Sequence, residues 1–309
     1  GLRRPGICGA WGLAWGGAVS DLPVIDLGPL REGGEAGLAR VAAEIGAACR
    51  GVGFFYVVNH GVPKTLIQQA FAQSRAFFAE PLEAKRALAM EEVGGNRGYS
   101  ALMREALDPT QGFDAKEAFN IGLELAPGDP GLGVEPFRAA NAWPAAPEFR
   151  PTLLAYFDAC LALGVDLHRA FARDLGLPER FFDDKLVRPM ATLRLLHYPP
   201  TPKGEIGAGA HTDYGNITLL AVDGVPGLQV RKRGGGWIDA PLVPGAYVVN
   251  IGDCLMRWTN NVYVSTPHRV VSQGGGERYS MAFFLDPEPF AVVEAIPSCV
   301  PAGGAAKYP

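Results

Sequence analysis

The sequence predicts an α+β fold, with helices crowded toward the front and a strand-rich back, and three observations carry that reading. Apolar residues recur at helical spacing through much of the first 175 positions. Between about residues 190 and 290 the chain breaks instead into short β-branched and aromatic runs separated by glycine turns. Forty glycines and 26 prolines among 309 residues supply the many turns of an antiparallel arrangement. That density of short strands fits a double-sheet jelly roll of the cupin-like kind.

In order, residues 22–27 alternate apolar positions and read as a first strand. Residues 35–50 put Leu38, Val41, Ala42, Ile45, Ala48 and Cys49 on one helical face, and Gly51 and Gly53 end it. Phe54 to Val58 is a short buried strand, with His60 as a hydrogen-bonded structural residue in the turn that leaves it. Pro63 opens a second helix through Phe78, with Leu66, Ile67, Ala70, Phe71, Ser74, Phe77 and Phe78 on one side. Residues 81–90 read as a further helix, 94–98 as a loop, 108–112 as a turn and 118–121 as a strand. Residues 126–147, rich in Pro and Gly, read as a loop. The longest periodic segment, 149–175, lines up Leu153, Leu154, Phe157, Leu161, Val165, His168 and Phe171. It should be the helix on which the sheet packs, with His168 a core histidine; Gly176 and Pro178 stop it.

No linker divides the chain and no repeat is evident, so residues 21–309 read as one domain, with a front region (21–125) and a strand-rich body (190–290). Residues 1–20 are too diluted by glycine for a secretory signal and read as a disordered leader or a remnant of expression. Trp11 and Trp15, four apart, could still dock locally.

Composition, 48% hydrophobic and 19% charged, is that of a globular protein with a sizeable core. A net charge of −4 gives no reason to expect nucleic acid. The basic tripeptide Arg231-Lys-Arg233 precedes three glycines and reads as a hairpin tip. No apolar run reaches the roughly 18 residues of a membrane span. Five scattered cysteines without Cys-x-x-Cys spacing argue for a reducing, cytoplasmic setting and against a disulfide framework.

The chemistry lies in the back half. His211 and Asp213 are two apart, so on an extended strand they project to the same face. His268 follows 55 positions after Asp213, far enough for a sheet to leave and return. Two imidazoles and one carboxylate on one side of a metal make the facial triad of non-haem Fe(II) oxygenases, with positions left open. Ten residues after His268, Arg278-Tyr-Ser280 again puts two polar groups on one face, where the guanidinium fork can bind a carboxylate and the hydroxyl can help. Singly each piece is unspecific: a turn histidine or a surface ion pair would read alike. Their order and spacing are harder to explain away.

Together these segments resemble the 2-oxoglutarate- and Fe(II)-dependent dioxygenases, in the isopenicillin N synthase-like branch. The likeness extends to Leu22-Pro-Val-Ile-Asp-Leu27 and Gly53-Phe-Phe-Tyr-Val-Val-Asn-His-Gly-Val-Pro63 at the front. Further on it covers Leu193-Arg-Leu-Leu-His-Tyr-Pro199, Gly227-Leu-Gln-Val230, Val249-Asn-Ile-Gly-Asp253 and Ser280-Met-Ala-Phe-Phe284. The resemblance implies a double-stranded β-helix propped from outside by helices, with Fe(II) held by His211, Asp213 and His268. It also implies 2-oxoglutarate on two open metal positions, its far carboxylate meeting Arg278, Ser280 and Tyr198, and O2 on the third. The expected outcome is hydroxylation or desaturation of a small organic molecule with release of succinate and CO2.

Where many relatives have an Asn-Tyr-Tyr run this chain has Leu196-His197-Tyr198, so the contact that Asn makes elsewhere does not carry over. His197 falls on the face opposite Tyr198. If Tyr198 faces the pocket, Leu196 and Arg194 share its face, and an inward Arg needs a partner. Arg194 is therefore expected to bind a carboxylate, of the keto acid or of the substrate, unless it reaches solvent or a structural acid. Phe284 shares a face with Arg278 and Ser280, as a pocket wall or as ordinary core. Arg104 and Lys116 either touch substrate or are solvated surface charges. Rival functions are an iron oxidase that dispenses with the keto acid, as isopenicillin N synthase and the plant ethylene-forming oxidase do, ethylene formation from 2-oxoglutarate, and a non-catalytic binder on the same fold.

Overall fold

The computed structural model describes residues 22–135 and 137–308, so the expected leader, with Trp11 and Trp15, lies outside the described residues. Its frame is a pair of facing sheets. The larger runs in the order β1 (Val24–Asp26), β2 (Phe54–Val58), β10 (Tyr247–Ile251), β7 (Ile217–Val222), β12 (Arg278–Leu285), β5 (Thr192–Tyr198), β4 (Glu117–Gly122) and β3 (Gly98–Ser100). The smaller runs β6 (Ile206–His211), β11 (His268–Val271), β8 (Leu228–Arg231) and β9 (Trp237–Asp239). Every described ladder is antiparallel except β1 on β2. This is the expected jelly roll, and the front strands extend its larger sheet on both sides.

Period-2 alternation explains how one sheet serves two environments. Along β12, Met281, Phe283 and Leu285 bury themselves toward the helices, while Arg278, Ser280, Ala282 and Phe284 face the space between the sheets. Along β5, Leu193 and Leu195 go outward, and Arg194, Leu196 and Tyr198 go inward. The register sets Arg278 opposite Tyr198 and Ser280 opposite Leu196. That one-residue choice is enforced by burial, because a slip would drive a guanidinium into the helix-side core.

After a short α1 (Gly28–Glu32), the outer face carries the helices α2 (Gly34–Gly51), α3 (Lys64–Phe78) and α6 (Phe149–Asp174), close to the predicted spans. Leu153, Phe157, His168 and Phe171 of α6 are fully buried, each large apolar side chain contributing about 1.5–3 kcal/mol. Gly164 lets α6 come in close, since a Cβ there would lie 2.4 Å from Leu285 Cδ2. The basic tripeptide does form the β8–β9 hairpin tip, closed by Lys232 N–H donating to Gly236 O at 3.0 Å.

Residues 81–90 differ from expectation. Instead of one helix there are two short ones, α4 (Leu82–Arg86) and α5 (Met90–Val93). The intervening backbone is recruited by the sheet: Tyr99 N–H donates to Leu88 O at 2.8 Å, and Ala89 bridges to Tyr99. Lys85, buried at the same place, is held by Glu117 of β4 at 2.9 Å. Local periodicity carries no information about either partner. The four cysteines among the described residues are free. No helix of the described residues is long and apolar enough to cross a membrane.

Candidate active site

Between the sheets is a cavity of about 390 Å³ whose walls come from both. His211, the last residue of β6, and His268, the first of β11, are direct cross-strand partners. Their rings stand 4.3 Å apart, centroid to centroid. Asp213 lies just past the end of β6 rather than on it, so the strand reading of His-x-Asp holds only for its first member. Nonetheless Asp213 Oδ1 reaches to 3.6 Å from His211 Nε2 and 3.7 Å from His268 Nε2. One donor atom from each of the three lies within 4.8 Å of the others, the arrangement of a metal site.

Each of the three is oriented by its remaining polar atom. His211 Nδ1 is bound to Gly209 O at 2.7 Å and His268 Nδ1 to Thr266 O at 3.3 Å, which leaves both Nε2 atoms pointing inward. Asp213 Oδ2 accepts from Thr218 Oγ1 at 2.5 Å and from Asn250 Nδ2 at 2.8 Å, which leaves Oδ1 for the centre. Phe54 packs edge-on against His268, centroids 5.2 Å apart. Burial, then the neighbouring His268, holds the His211 imidazole below its usual pKa. Burial alone would push Asp213 up, but His268 and the Asn250 and Thr218 hydrogen bonds hold it below the usual carboxylate range. Neutral imidazole and ionised carboxylate are the forms a metal ion binds.

Arg278 sits on the same cavity wall and is 5% exposed. Its Nη1 donates to Ser280 Oγ at 3.1 Å, its Nε donates to Val225 O at 3.2 Å, and its guanidinium lies 4.8 Å from the Tyr198 ring centroid. Among the described residues no carboxylate comes within ion-pair distance, and desolvation lowers its pKa. A buried cation without an anion is costly unless something brings one.

Leu196, Phe284 and Arg194 also line the cavity, as their parity required. Arg194 does have a carboxylate, but an internal one: its Nη2 donates to Glu105 Oε1 at 2.5 Å. The expectation that it binds the keto acid or substrate is corrected to that extent, since the chain itself supplies its partner. Glu105 in turn lies 3.4 Å from Lys116, which also pairs with Asp114. Burial would raise the Glu105 carboxyl, yet Arg194 and Lys116 hold it down at about 2. Lys116 is thus a buried cavity residue rather than a solvated one, whereas exposed Arg104 pairs with Glu91. Beside them Asn120 donates to Asn96 Oδ1 at 2.9 Å and keeps its own Oδ1 unpartnered.

The other histidines are structural. His60 bonds Gly245 O and the Val62 N–H, His168 bonds Gly164 O and Asn216, and His197 bonds Glu117 on the helix side of β5. Sequence reasoning passed over Asn250, Thr218, Glu105, Asn120 and Asp286. A signal existed for the first two: each is a lone polar residue inside an apolar strand run.

Two family models match this chain. One, for the non-haem dioxygenase in morphine synthesis N-terminal region, spans residues 22–146. The other, for the 2OG-Fe(II) oxygenase superfamily, spans residues 189–287. The 2-oxoglutarate-Fe(II) type oxidoreductase hxnY of Emericella nidulans is 38% identical, over 93% of this chain and 85% of its own length. Homoarginine-6-hydroxylase 2-ODD-C23.1 of Arabidopsis thaliana is 36% identical, over 90% of this chain and 88% of its own. A full-length Neurospora crassa protein, crystallised in complex with alpha-KG, superposes with a TM-score of 0.83 at 35% identity, covering 93% of this chain and 92% of that one. The same Neurospora protein has been solved with thymine also bound.

Proposed function

This chain belongs to the 2OG-Fe(II) oxygenase superfamily and is a 2-oxoglutarate-dependent dioxygenase, and from that premise we propose that His211, Asp213 and His268 hold its iron. Arg278, with Ser280 and Tyr198 beside it, takes the far carboxylate of 2-oxoglutarate. Leu196, Phe284 and Arg194 line the part of the cavity that receives a small organic substrate for hydroxylation or desaturation. We infer as well that residues 21–309 form one domain, which the pairing of β2 with β10 supports.

The observation that carries the assignment is the division of labour among polar atoms. Both His Nδ1 atoms and Asp213 Oδ2 are engaged by the protein, and the three remaining donors converge. A second fit is the buried Arg278, whose missing anion a dicarboxylic keto acid provides. Bound there, Fe(II) supplies the redox chemistry with O2 that closed-shell side chains lack. The protein's own part is to keep the donor atoms in register, to fix the keto acid through the guanidinium fork, and to seat the substrate against the apolar wall of Leu196 and Phe284. Relatives named for homoarginine or solved with thymine support a small, nitrogen-rich substrate.

The test is succinate release from labelled 2-oxoglutarate, with anaerobic Fe(II) titration of Asp213→Ala in parallel. The wild type should release succinate only with iron, and the variant should neither bind iron tightly nor turn over. Full turnover by iron-free protein, or by Asp213→Ala, would end the assignment.

A further inference from the structure

The charges of the cavity can be paired off one by one. Glu105 belongs to Arg194 and Lys116, and Lys116 also to Asp114. On the reading above, Asp213 faces the iron and Arg278 the keto acid. Asp286 is left over.

Asp286 follows β12 directly and continues the inward parity of Arg278, Ser280, Ala282 and Phe284. It lines the main cavity and also an adjoining one of about 500 Å³, in company with Asn96, Thr192, Tyr214 and Gly215. Its Oδ1 is buried with no hydrogen-bond partner, and no cation among the described residues pairs with it. The backbone makes room for it: a Cβ at Gly215 would lie 1.4 Å from that oxygen, so Gly215 is the seat of the carboxylate. Eight residues separate it from Arg278, roughly 27 Å along an extended strand, too far to share the keto acid with that guanidinium. Burial pushes its carboxyl up to about 7 and Asp213 adds to the rise, against a backbone hydrogen bond from the Asn216 N–H. An acid so placed is costly for the empty protein, as the buried Arg278 is, and the same logic applies to both.

We propose that Asp286 is a specificity-determining residue, which selects substrates carrying a cationic or N–H-rich nitrogen group, such as a guanidinium or ammonium, and rejects anionic ones. The inference deepens the assignment above and rests on it. A planar cation directed across the shared threshold of the two cavities would pair with the carboxylate, while its aliphatic remainder lies toward the metal ligands. Tyr214, 90% exposed at that threshold, offers an aromatic face to the same cation.

Two probes of matched shape decide the matter, methylguanidinium and its neutral counterpart methylurea. Each is titrated into the anaerobic enzyme loaded with Fe(II) and 2-oxoglutarate, following the visible charge-transfer band of the bound keto acid. Methylguanidinium should bind about tenfold more tightly or better, as a charge-assisted hydrogen bond to a half-buried carboxylate predicts. In Asp286→Asn the preference should disappear while the dissociation constant for 2-oxoglutarate stays within about twofold, which also shows that the variant is folded. Equal binding of the two probes, binding of neither, or a preference that survives Asp286→Asn overturns the proposal. Failure of the band to form with 2-oxoglutarate in the wild type would instead indict the underlying cofactor assignment.

Discussion

Replacing Arg278 by Met separates a structural guanidinium from a ligand-binding one, because the two roles predict opposite ledgers. In the empty protein the change removes a buried charge with no anion, a gain of several kcal/mol by the usual desolvation cost. Against it stand the hydrogen bonds to Val225 O and Ser280 Oγ, about 1 kcal/mol each, and the Tyr198 ring contact, about 1–2 kcal/mol. The two sides nearly cancel, so urea unfolding of the empty variant should lie within about 2 kcal/mol of wild type. Keto-acid binding has no such compensation. Losing a charge-assisted fork to a carboxylate costs about 3–5 kcal/mol, so affinity should fall by roughly two to three and a half orders of magnitude. Saturating 2-oxoglutarate, which at a hundred times its dissociation constant would stabilise wild type by about 2.7 kcal/mol, should then leave the variant's melting temperature unmoved. A variant that loses more than about 4 kcal/mol when empty, yet still binds 2-oxoglutarate as wild type does, refutes the reasoning.

Two further outcomes follow from the same contacts. Asn250→Ala leaves Asp213 Oδ2 with Thr218 alone, and Fe(II) affinity in an anaerobic titration should drop about 10–100-fold; an unchanged affinity would show that the carboxylate needs no such support. Glu117 accepts from Lys85, His197 and Tyr99 behind β5, and although burial would raise its carboxyl, His197, Lys85 and Tyr99 hold it down at about 2. Its folded pKa is depressed below 4.5, so the stability it contributes is complete above about pH 4.5 and is lost as pH falls toward 2, at most about 3 kcal/mol. Glu117→Gln should therefore flatten the acid limb of the stability–pH curve, leaving the part that belongs to Glu105; an unaltered slope would sever the network from acid stability.

Much of the site could be read from residue order alone. The alternation Arg278, Ser280, Phe284 against Tyr198, Leu196, Arg194 is a local fact fixed by the two-residue repeat of a strand, whereas His211, Asp213 and His268 stood out by residue type and order. Helical periodicity located α2, α3 and α6 and put His168 in the core, and strand parity turned His197 away from the proposed metal ligands. It misjudged residues 81–90, where an apolar spacing compatible with one helix is overridden by the hydrogen bond from Tyr99 N–H to Leu88 O.

Parity put Arg194 on the face of Tyr198, where it needs a partner or a path to solvent. Only closure of the sheets decided that Glu105, 89 positions earlier in the chain, would be that partner. Asn250 and Thr218 converge on one oxygen of Asp213 for the same reason, and Asp286 Oδ1 is left without a hydrogen bond. Backbone geometry dictates which way a side chain points within a few residues, whereas its partner depends on distant segments brought together by burial of a common core.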